Sequence, residues 1–496
     1  MHSHSVDLVV LGSGFGGTLL TIIAQKLGYS VALLERGTHP RFAIGESSTP
    51  LSNFKLARIA DRFGLDWLKP FARYGTWKAE YPNIACGLKR GFSFFRHEAG
   101  QPFASTLDNS NALLVAASPD DNDSDTHWYR ADFDAHLVDR AVAMGVPYLD
   151  RFETTILRHL GSGWELLGRH PDGEVKIRAR FLVDASGTGQ ALARVLNIPM
   201  LDPDGLLVRS RGLFSHFTGV ARWQDLLEER NAAATAEHPY PCDAAALHQV
   251  IDRGWMWLLR FDNGITSAGF SLDPGTHPLY PEETAEQEWH RLLNTYPSLA
   301  RQFRDAQPVR PFVRTGRLQR RLARAAGHDW AMLPHTAGFL DAWLSPGIAQ
   351  SLFAVNRLAG ILADGWNDPF RGERLEEYGR TVLRELAWVD EITGTCFACF
   401  DRFPVMATAA MLYFTAATYC EERERRGEAG PDDAFLLADH AEYRAVADRL
   451  FEAARTLPAS EAVAFADAAR EALAPFNRCG LCDPSRRNLY PYLTAI

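Results

Sequence analysis

Val6-Asp7-Leu8-Val9-Val10-Leu11 runs straight into Gly12-Ser13-Gly14-Phe15-Gly16-Gly17, and this stretch decides the fold. The apolar run reads as a buried parallel strand, and the apolar residues from Thr18 to Leu27 read as a helix. Ser30 to Leu34 is a second strand that ends on Glu35, with Arg36 beside it. Strand, glycines, helix, strand and terminal acid in that order predict a dinucleotide-binding βαβ unit. Gly12 permits the tight turn, Gly14 lets a pyrophosphate approach the backbone, and Gly17 lets the helix pack close on the sheet. The helix N-terminus favours the phosphate's negative charge. Glu35 is placed to accept hydrogen bonds from ribose hydroxyls, which favours FAD or NAD over a cofactor carrying a 2′-phosphate.

Outward from this unit, 496 residues are too many for one simple core and predict two or three packed domains. The fold class is α/β, a Rossmann-like FAD-binding domain with an inserted mixed β-sheet substrate domain and a helical C-terminal region. Residues 1–200 are the first part of the FAD-binding domain and include some substrate-side segments. Residues 201–310 are the substrate-side sheet, 311–365 return to the FAD-binding domain, and 366–496 are helical. Residues 118–126 read as a polar, exposed loop, and Arg130 begins a helix with one apolar face. Phe181-Leu182-Val183-Asp184 is a further strand followed by a small-residue turn.

The net charge of −9 argues against a large cationic surface for nucleic acid or an anionic membrane. Met1-His2-Ser3-His4-Ser5 lacks the basic and apolar regions of a signal peptide. No uninterrupted apolar run approaches the roughly 20 residues that span a bilayer. Seven cysteines, sparse and odd in number, fit reduced thiols in a cytoplasm. The expectation is a cytoplasmic protein with neither nucleic acid nor membrane as a partner.

Four further segments follow the fingerprint. They are Gly45-Glu46-Ser47-Ser48-Thr49-Pro50, Cys86-Gly87-Leu88-Lys89-Arg90-Gly91-Phe92-Ser93-Phe94, Gly254-Trp255-Met256-Trp257-Leu258-Leu259 and Gly338-Phe339-Leu340-Asp341-Ala342-Trp343-Leu344-Ser345-Pro346-Gly347. In this order they resemble the flavin-dependent halogenases of the flavoprotein monooxygenase superfamily, above all those acting on free phenolic or resorcinol-like substrates. The resemblance covers most of residues 6–360. It implies a flavoprotein of secondary metabolism in which reduced FAD, dioxygen and chloride or bromide give hypohalous acid, which then halogenates an electron-rich arene. By the same resemblance Lys89 is the catalytic lysine, and its amine or ammonium polarises the oxygen–halogen bond. Gly45, Glu46, Ser47, Arg130, Asp341, Gly347 and Ile348 are implied flavin or halide contacts, and Trp255 and Trp257 shield the flavin. The implied partners are a flavin reductase that supplies reduced FAD and a small aromatic substrate, free or carrier-tethered.

Two departures keep other chemistry open. Leu259-Arg260 stands where the family has Ile-Pro. Pro346, which has no N–H, follows Ser345 where the family's backbone amides hold halide. A lost hydrogen bond to a charged group costs about 1.5–3 kcal/mol, so halide would depend on Gly347, Ile348 or a side chain such as Arg260. The alternatives are a halogenase-like flavin monooxygenase or oxidase that works without halide, and a non-catalytic flavin-binding partner.

Several smaller constellations carry a bland reading beside a functional one. Cys396-Phe397-Ala398-Cys399 and Cys479-Gly480-Leu481-Cys482 have zinc-ligand spacing. The first pair sits in an aromatic helical stretch where cysteine serves as a small apolar residue, and no metal is expected. His97 and His335 are candidate bases for a phenol but fit structural roles as well. Lys78 reads as a surface residue. Phe397, Phe400, Phe403, Tyr413 and Phe414 read as helical core, or as the lining of a substrate pocket closed by the tail.

Overall fold

β1 (His2–Leu11), α1 (Phe15–Lys26) and β2 (Val31–Leu34) form the predicted unit in the computed structural model, which describes residues 2–492. β1 starts at His2 rather than Val6 because its polar first residues pair in parallel with Val175–Arg178 of the long strand Gly173–Asp184. That pairing needs only backbone, so apolar patterning gives no sign of it. Leu8 sits opposite Val31 on one side and Phe181 on the other, and Leu8, Val9 and Val10 are fully buried. A strand covered on both faces is continuously apolar. Trp330–Met332 joins the far side of Gly173–Asp184 in parallel, which brings the 311–365 segment into this sheet. The helix Gly347–Ala363 then packs against α1 and against α2 (Pro50–Phe63).

A second sheet of nine strands carries the substrate side. Five of its strands, Arg211–Thr218, Ala246–Ile251, Gly254–Arg260, Thr266–Leu272 and the short Gln307–Pro308, come from the segment predicted to hold it. That segment also contains the helices Trp223–Arg230, Ala285–Thr295 and Pro297–Gln302, so it is not strands alone. The sheet is completed from elsewhere in the chain. Next to β3 (Cys86–Lys89), β4 (Gly91–Arg96) pairs in parallel with Ala246–Ile251, β5 (Ala112–Ala116) adds to β4, and the C-terminal Leu489–Tyr490 adds to β5.

β3 itself pairs with β6 (Asp125–Trp128) in a separate two-stranded ladder beside this sheet. This corrects the reading of 118–126 as exposed throughout: Ser124, Asp125 and Thr126 are buried. A run of Asp, Asn and Ser carries the signature of a solvated turn, and only pairing with β3 buries its end.

The C-terminal region is helical, led by Arg371–Ala398 and Phe403–Arg425. Phe403–Arg425 is long and apolar enough to cross a bilayer by composition, with a mean hydropathy of 1.3 in its most apolar window, which amends the expectation of no such segment. It is packed inside the protein instead, 78% buried over that window, against Arg371–Ala398 and α2.

Candidate active site

At the nucleotide end, the glycines sort by what a side chain would strike. A Cβ on Gly12 would lie 2.5 Å from the Ala185 carbonyl oxygen, and one on Gly17 would lie 2.2 Å from that of Gly12. Gly14 instead opens toward two guanidinium groups, with Arg130 Nη2 at 3.6 Å and Arg41 Nη2 at 3.7 Å from its Cβ position. The first intrahelical bond runs from Thr18 N–H to the Gly14 carbonyl at 3.0 Å, which leaves the amides before it for an anion. Two cations and free first-turn amides around a bare backbone fit the pyrophosphate of FAD.

Arg130 is held in place by Asp134, to which Nε and Nη2 donate at 2.8 and 2.7 Å, while Nη1 donates to the Gly45 carbonyl at 3.1 Å. Glu35 accepts from Ser13 N–H at 3.1 Å, Ser13 Oγ at 2.9 Å and Gly37 N–H at 2.9 Å. Burial pushes its carboxyl up, but Arg41 and these donors outweigh it and hold the group below the usual carboxylate range. Glu35 therefore organises the glycine loop. Arg36 is exposed, and Arg41 takes the place expected of it. Nothing in the sequence marks Arg41, because it lies in irregular chain after β2.

Lys89 is fully buried and sits opposite Asp125 across the β3–β6 ladder. Its Nζ donates to the Ser48 carbonyl at 2.5 Å and lies 3.9 Å from the centre of the Phe92 ring. The glycines on either side explain how a lysine comes to be sealed here. A Cβ on Gly87 would be 1.9 Å from the Arg260 carbonyl oxygen, and one on Gly91 would be 2.2 Å from that of Val115. Only glycine allows the backbones to close this tightly. Burial pushes the Lys89 ammonium down to about 7 against the opposing pull of Asp125. Burial likewise lifts Asp125 to about 7, offset by Lys89 and by Asn53, which donates to Oδ1 at 2.6 Å. Burial, and then Lys89, hold His127 and His248 neutral, each at about 3.

An aromatic column leads from the lysine to the late loop. Phe94 stacks on His248 with ring centres 4.4 Å apart, His248 stacks on Trp255 at 5.0 Å, and Trp255 meets Trp343 edge-on at 5.1 Å. Trp257 lies 5.8 Å from Trp255 and is less buried. Asp341 receives Ser210 Oγ and Ser271 Oγ, both at 2.7 Å, and Trp343 N–H at 2.9 Å, so its carboxylate shapes the loop from within. Leu344 and Ser345 are left-handed, with φ of 64° and 56°, and turn the chain into the helix that begins at Gly347. Among the described residues, no backbone carbonyl accepts the N–H groups of Gly347, Ile348 or Ala349. The helix start thus keeps three donors where Pro346 supplies none.

No protein-family model matches the chain. The tetracycline 7-halogenase of Kitasatospora aureofaciens is 29% identical over 449 residues, covering 88% of this chain and 79% of that protein. The monodechloroaminopyrrolnitrin halogenase PrnC of Pseudomonas fluorescens is 30% identical over 411 residues, covering 81% of this chain and 69% of its own. The solved structure of the halogenase PltM superposes with a TM-score of 0.86 at 23% identity, over 97% of this chain and 99% of that one. The chain belongs to the flavin-dependent halogenases. It is an FAD-dependent oxidoreductase, which sets aside the non-catalytic reading.

In this halogenase a narrow cavity lies beside Lys89. It is lined by Phe92, Thr49 and Pro50, by Tyr413, Phe414 and Glu421 of the helix Phe403–Arg425, and by Tyr490 and Tyr492, and Phe92 packs edge-on against Phe414 at 5.3 Å. Of the five tail aromatics singled out, Tyr413 and Phe414 line this cavity. Phe400 packs on Trp343 at 4.9 Å, in the core. The functional neighbours missed in the sequence are Asp125, Arg41 and Glu421. Two of them sit in polar or irregular stretches, and Glu421 begins the mixed-charge run at a helix end.

The remaining candidates take structural places. His97 is buried against Gln249, with Nε2 at 2.8 Å from Oε1, among Phe103 and Trp223. His335 backs the late loop, since a Cβ on Gly347 would lie 3.0 Å from its Nε2, and burial lowers it to about 4. Glu46 meets His216 at 2.9 Å, and Ser47 bridges to His127. Arg260 is committed to Asp243 at 3.0 Å and to the Val220 carbonyl, and so does not replace the amide missing at Pro346. Lys78 pairs with Asp262 at 2.5 Å. The cysteines are unpaired, Cys399 donates to the Ala454 carbonyl at 3.3 Å, and burial lifts Cys399 to about 11. Among the described residues no group of three or more His, Cys, Asp or Glu is set to hold a metal.

Proposed function

We propose that this halogenase chlorinates or brominates a small phenolic arene, with Lys89 presenting the electrophilic halogen. Bound reduced FAD supplies, with dioxygen, the oxidation of halide to hypohalous acid. Gly12, Gly14, Gly17, Glu35, Arg41 and Arg130, with Gly45 beside Arg130, hold the dinucleotide. Gly347 and Ile348 hold the halide with backbone amides, and Trp255 and Trp343 exclude water from the path to Lys89. The Lys89 ammonium hydrogen-bonds the hypohalous oxygen and draws electrons from the oxygen–halogen bond. Asp125 keeps enough positive charge on Lys89 for that role near neutral pH.

The observation that carries this reading is the burial of Lys89 directly behind Phe92, which forms a wall of the aromatic cavity. The phenolic class rests on the aromatic lining and on the fold's likeness to PltM, whose complex with phloroglucinol and FAD superposes with a TM-score of 0.84 at 22% identity. A cavity closed by the chain's own C-terminal segment suits a free arene better than a carrier-tethered one. Carrier-tethered pyrroles are the substrates named for other relatives, such as the 1H-pyrrole-2-carbonyl-[peptidyl-carrier protein] chlorinase of Pseudomonas fluorescens, at 23% identity. A separate flavin reductase supplies reduced FAD, and the seven unpaired cysteines suit a cytoplasmic setting. The test is product mass after supplying reduced FAD, oxygen, bromide or chloride, and resorcinol. A halogen isotope pattern that requires halide supports the proposal. Addition of oxygen alone, indifferent to halide, contradicts it.

A further inference from the structure

Among the described residues, Glu421 is the one carboxyl group lining the aromatic cavity. It is 5% exposed, and that remnant faces the cavity. Its nearest cation, Arg425 one turn along the same helix, is 3.8 Å from Oε2, beyond hydrogen-bond distance. The nearest nitrogen of Arg425, Nη2, donates to the Tyr492 hydroxyl at 2.8 Å. Among the described residues no donor reaches this carboxyl, which is costly for a buried group, and here it borders the narrow aromatic-lined cavity. The mechanism proposed above makes no use of it.

We infer that Glu421 accepts the proton of the substrate's ring hydroxyl and so converts the phenol into the phenolate that attacks the halogen. The inference rests on the phenolic reading of the cavity. In the balanced sequence, the phenol O–H bond breaks and its proton passes to a Glu421 oxygen. The oxygen electron pair moves into the ring, a ring carbon–halogen bond forms, and the halogen–oxygen bond of hypohalous acid breaks to release hydroxide. The proton on the halogenated carbon returns to the phenol oxygen, and the Glu421 proton neutralises the hydroxide to water. The net change is phenol plus hypohalous acid to halophenol plus water.

The surroundings suit a base of this kind. Burial lifts Glu421 to about 8, opposed by Arg425 and reinforced by Asp125. A carboxylate of that basicity lies much nearer a phenol's than an ordinary glutamate does, so proton transfer is less uphill. The other titratable groups that face it are Tyr413 on its own helix, Cys479 and Tyr492 from the C-terminal segment, and Lys89 beyond Asp125. Burial raises Tyr413, Cys479 and Tyr492, so each keeps its own proton and none competes with Glu421 as the base.

The experiment compares wild type, Glu421→Gln and Glu421→Asp on resorcinol and on 1,3-dimethoxybenzene, an electron-rich arene with no hydroxyl proton. Each full-length enzyme is loaded with FAD, and kcat is followed against pH. On resorcinol, Glu421→Gln is expected to lose on the order of 100-fold in kcat, with KM little changed and Glu421→Asp between the two. The loss shrinks at high pH as resorcinol ionises in solution, and dimethoxybenzene turnover is equal in all three. An equal loss on both arenes, or a pH profile of Glu421→Gln parallel to wild type, overturns the inference. Where dimethoxybenzene turnover is too slow to measure, the pH arm decides alone. Failure of the phenolic reading is seen separately, in wild type halogenating an indole or a pyrrole but not resorcinol, and it removes the role of Glu421 with it.

Discussion

Lys89 is poised between charged and neutral forms because two opposed forces act on one atom. Full burial favours the amine, while Asp125 across the ladder favours the ammonium. If the ammonium is the active form, activity falls as pH rises through about 7, the value to which Lys89 is lowered. A base at Glu421 adds a rising limb at about 8. The two limbs make a bell with its maximum between them, governed by the coupled group rather than by either residue alone. Asp125→Asn removes the neighbour that raises Lys89. The falling limb is therefore expected to move to lower pH, with roughly tenfold less active form at a fixed alkaline pH for each pH unit moved. A pH–kcat/KM profile of that variant checks the sign, and an unmoved or upward-moved limb contradicts it. At this scale the sequence named Lys89 by motif but left Asp125 in a polar loop. A lysine's partner across a ladder has no fixed spacing from it, and nothing local distinguishes a buried aspartate from the solvated ones beside it.

The element that matters most is the β3–β6 ladder, for it joins the two motifs on either side of it. Lys89 donates to the carbonyl of Ser48, whose segment leads through Thr49 and Pro50 into α2. Gly87→Ala drives a Cβ against the Arg260 carbonyl. It is expected to cost about 1–3 kcal/mol of stability, read as a lower unfolding midpoint, and to reduce halogenation more than FAD binding. The late loop gives a prediction of opposite sign. Pro346 caps its helix at helical angles that alanine adopts freely, with φ of −73° and ψ of −22°. Pro346→Ala restores an N–H at the halide position and is expected to lower the halide KM about tenfold, from one charge-assisted hydrogen bond. Steady-state kinetics over a chloride series reads this directly, and an unchanged KM would place the halide elsewhere. The βαβ unit, the Arg130 helix and the late helical region were legible because each has a long hydrophobic period. The nine-stranded sheet was legible only in its middle, since β4, β5 and Leu489–Tyr490 enter it from distant parts of the chain.

At the scale of the whole molecule, the sheet built on β1 holds the nucleotide end, and the β3–β6 ladder beside the second sheet holds the lysine. The C-terminal helices and the final strand close the cavity between Lys89 and solvent. Leu489–Tyr490 covers the open edge of β5, and Arg487 and Asn488 tie it to Glu237 and Asn109. Deleting residues 489–496 is expected to raise the arene KM at least severalfold while the halide KM stays level, since the late loop proposed to hold halide lies at the other end of the aromatic column. That closure was foreseen only as a tail over a pocket, because sequence shows neither the edge of a sheet nor what covers it. The central claim is that Lys89, and not free hypohalous acid, delivers the halogen. The most direct measurement is a single turnover of wild type and Lys89→Ala with reduced FAD, oxygen, bromide and resorcinol. Brominated product and hypobromous acid released to a solution trap are quantified together. Lys89→Ala is expected still to oxidise bromide and release hypobromous acid to the trap while its enzyme-formed product falls by at least about two orders of magnitude. Equal product from both enzymes, or an oxygenated product that ignores bromide, would contradict it.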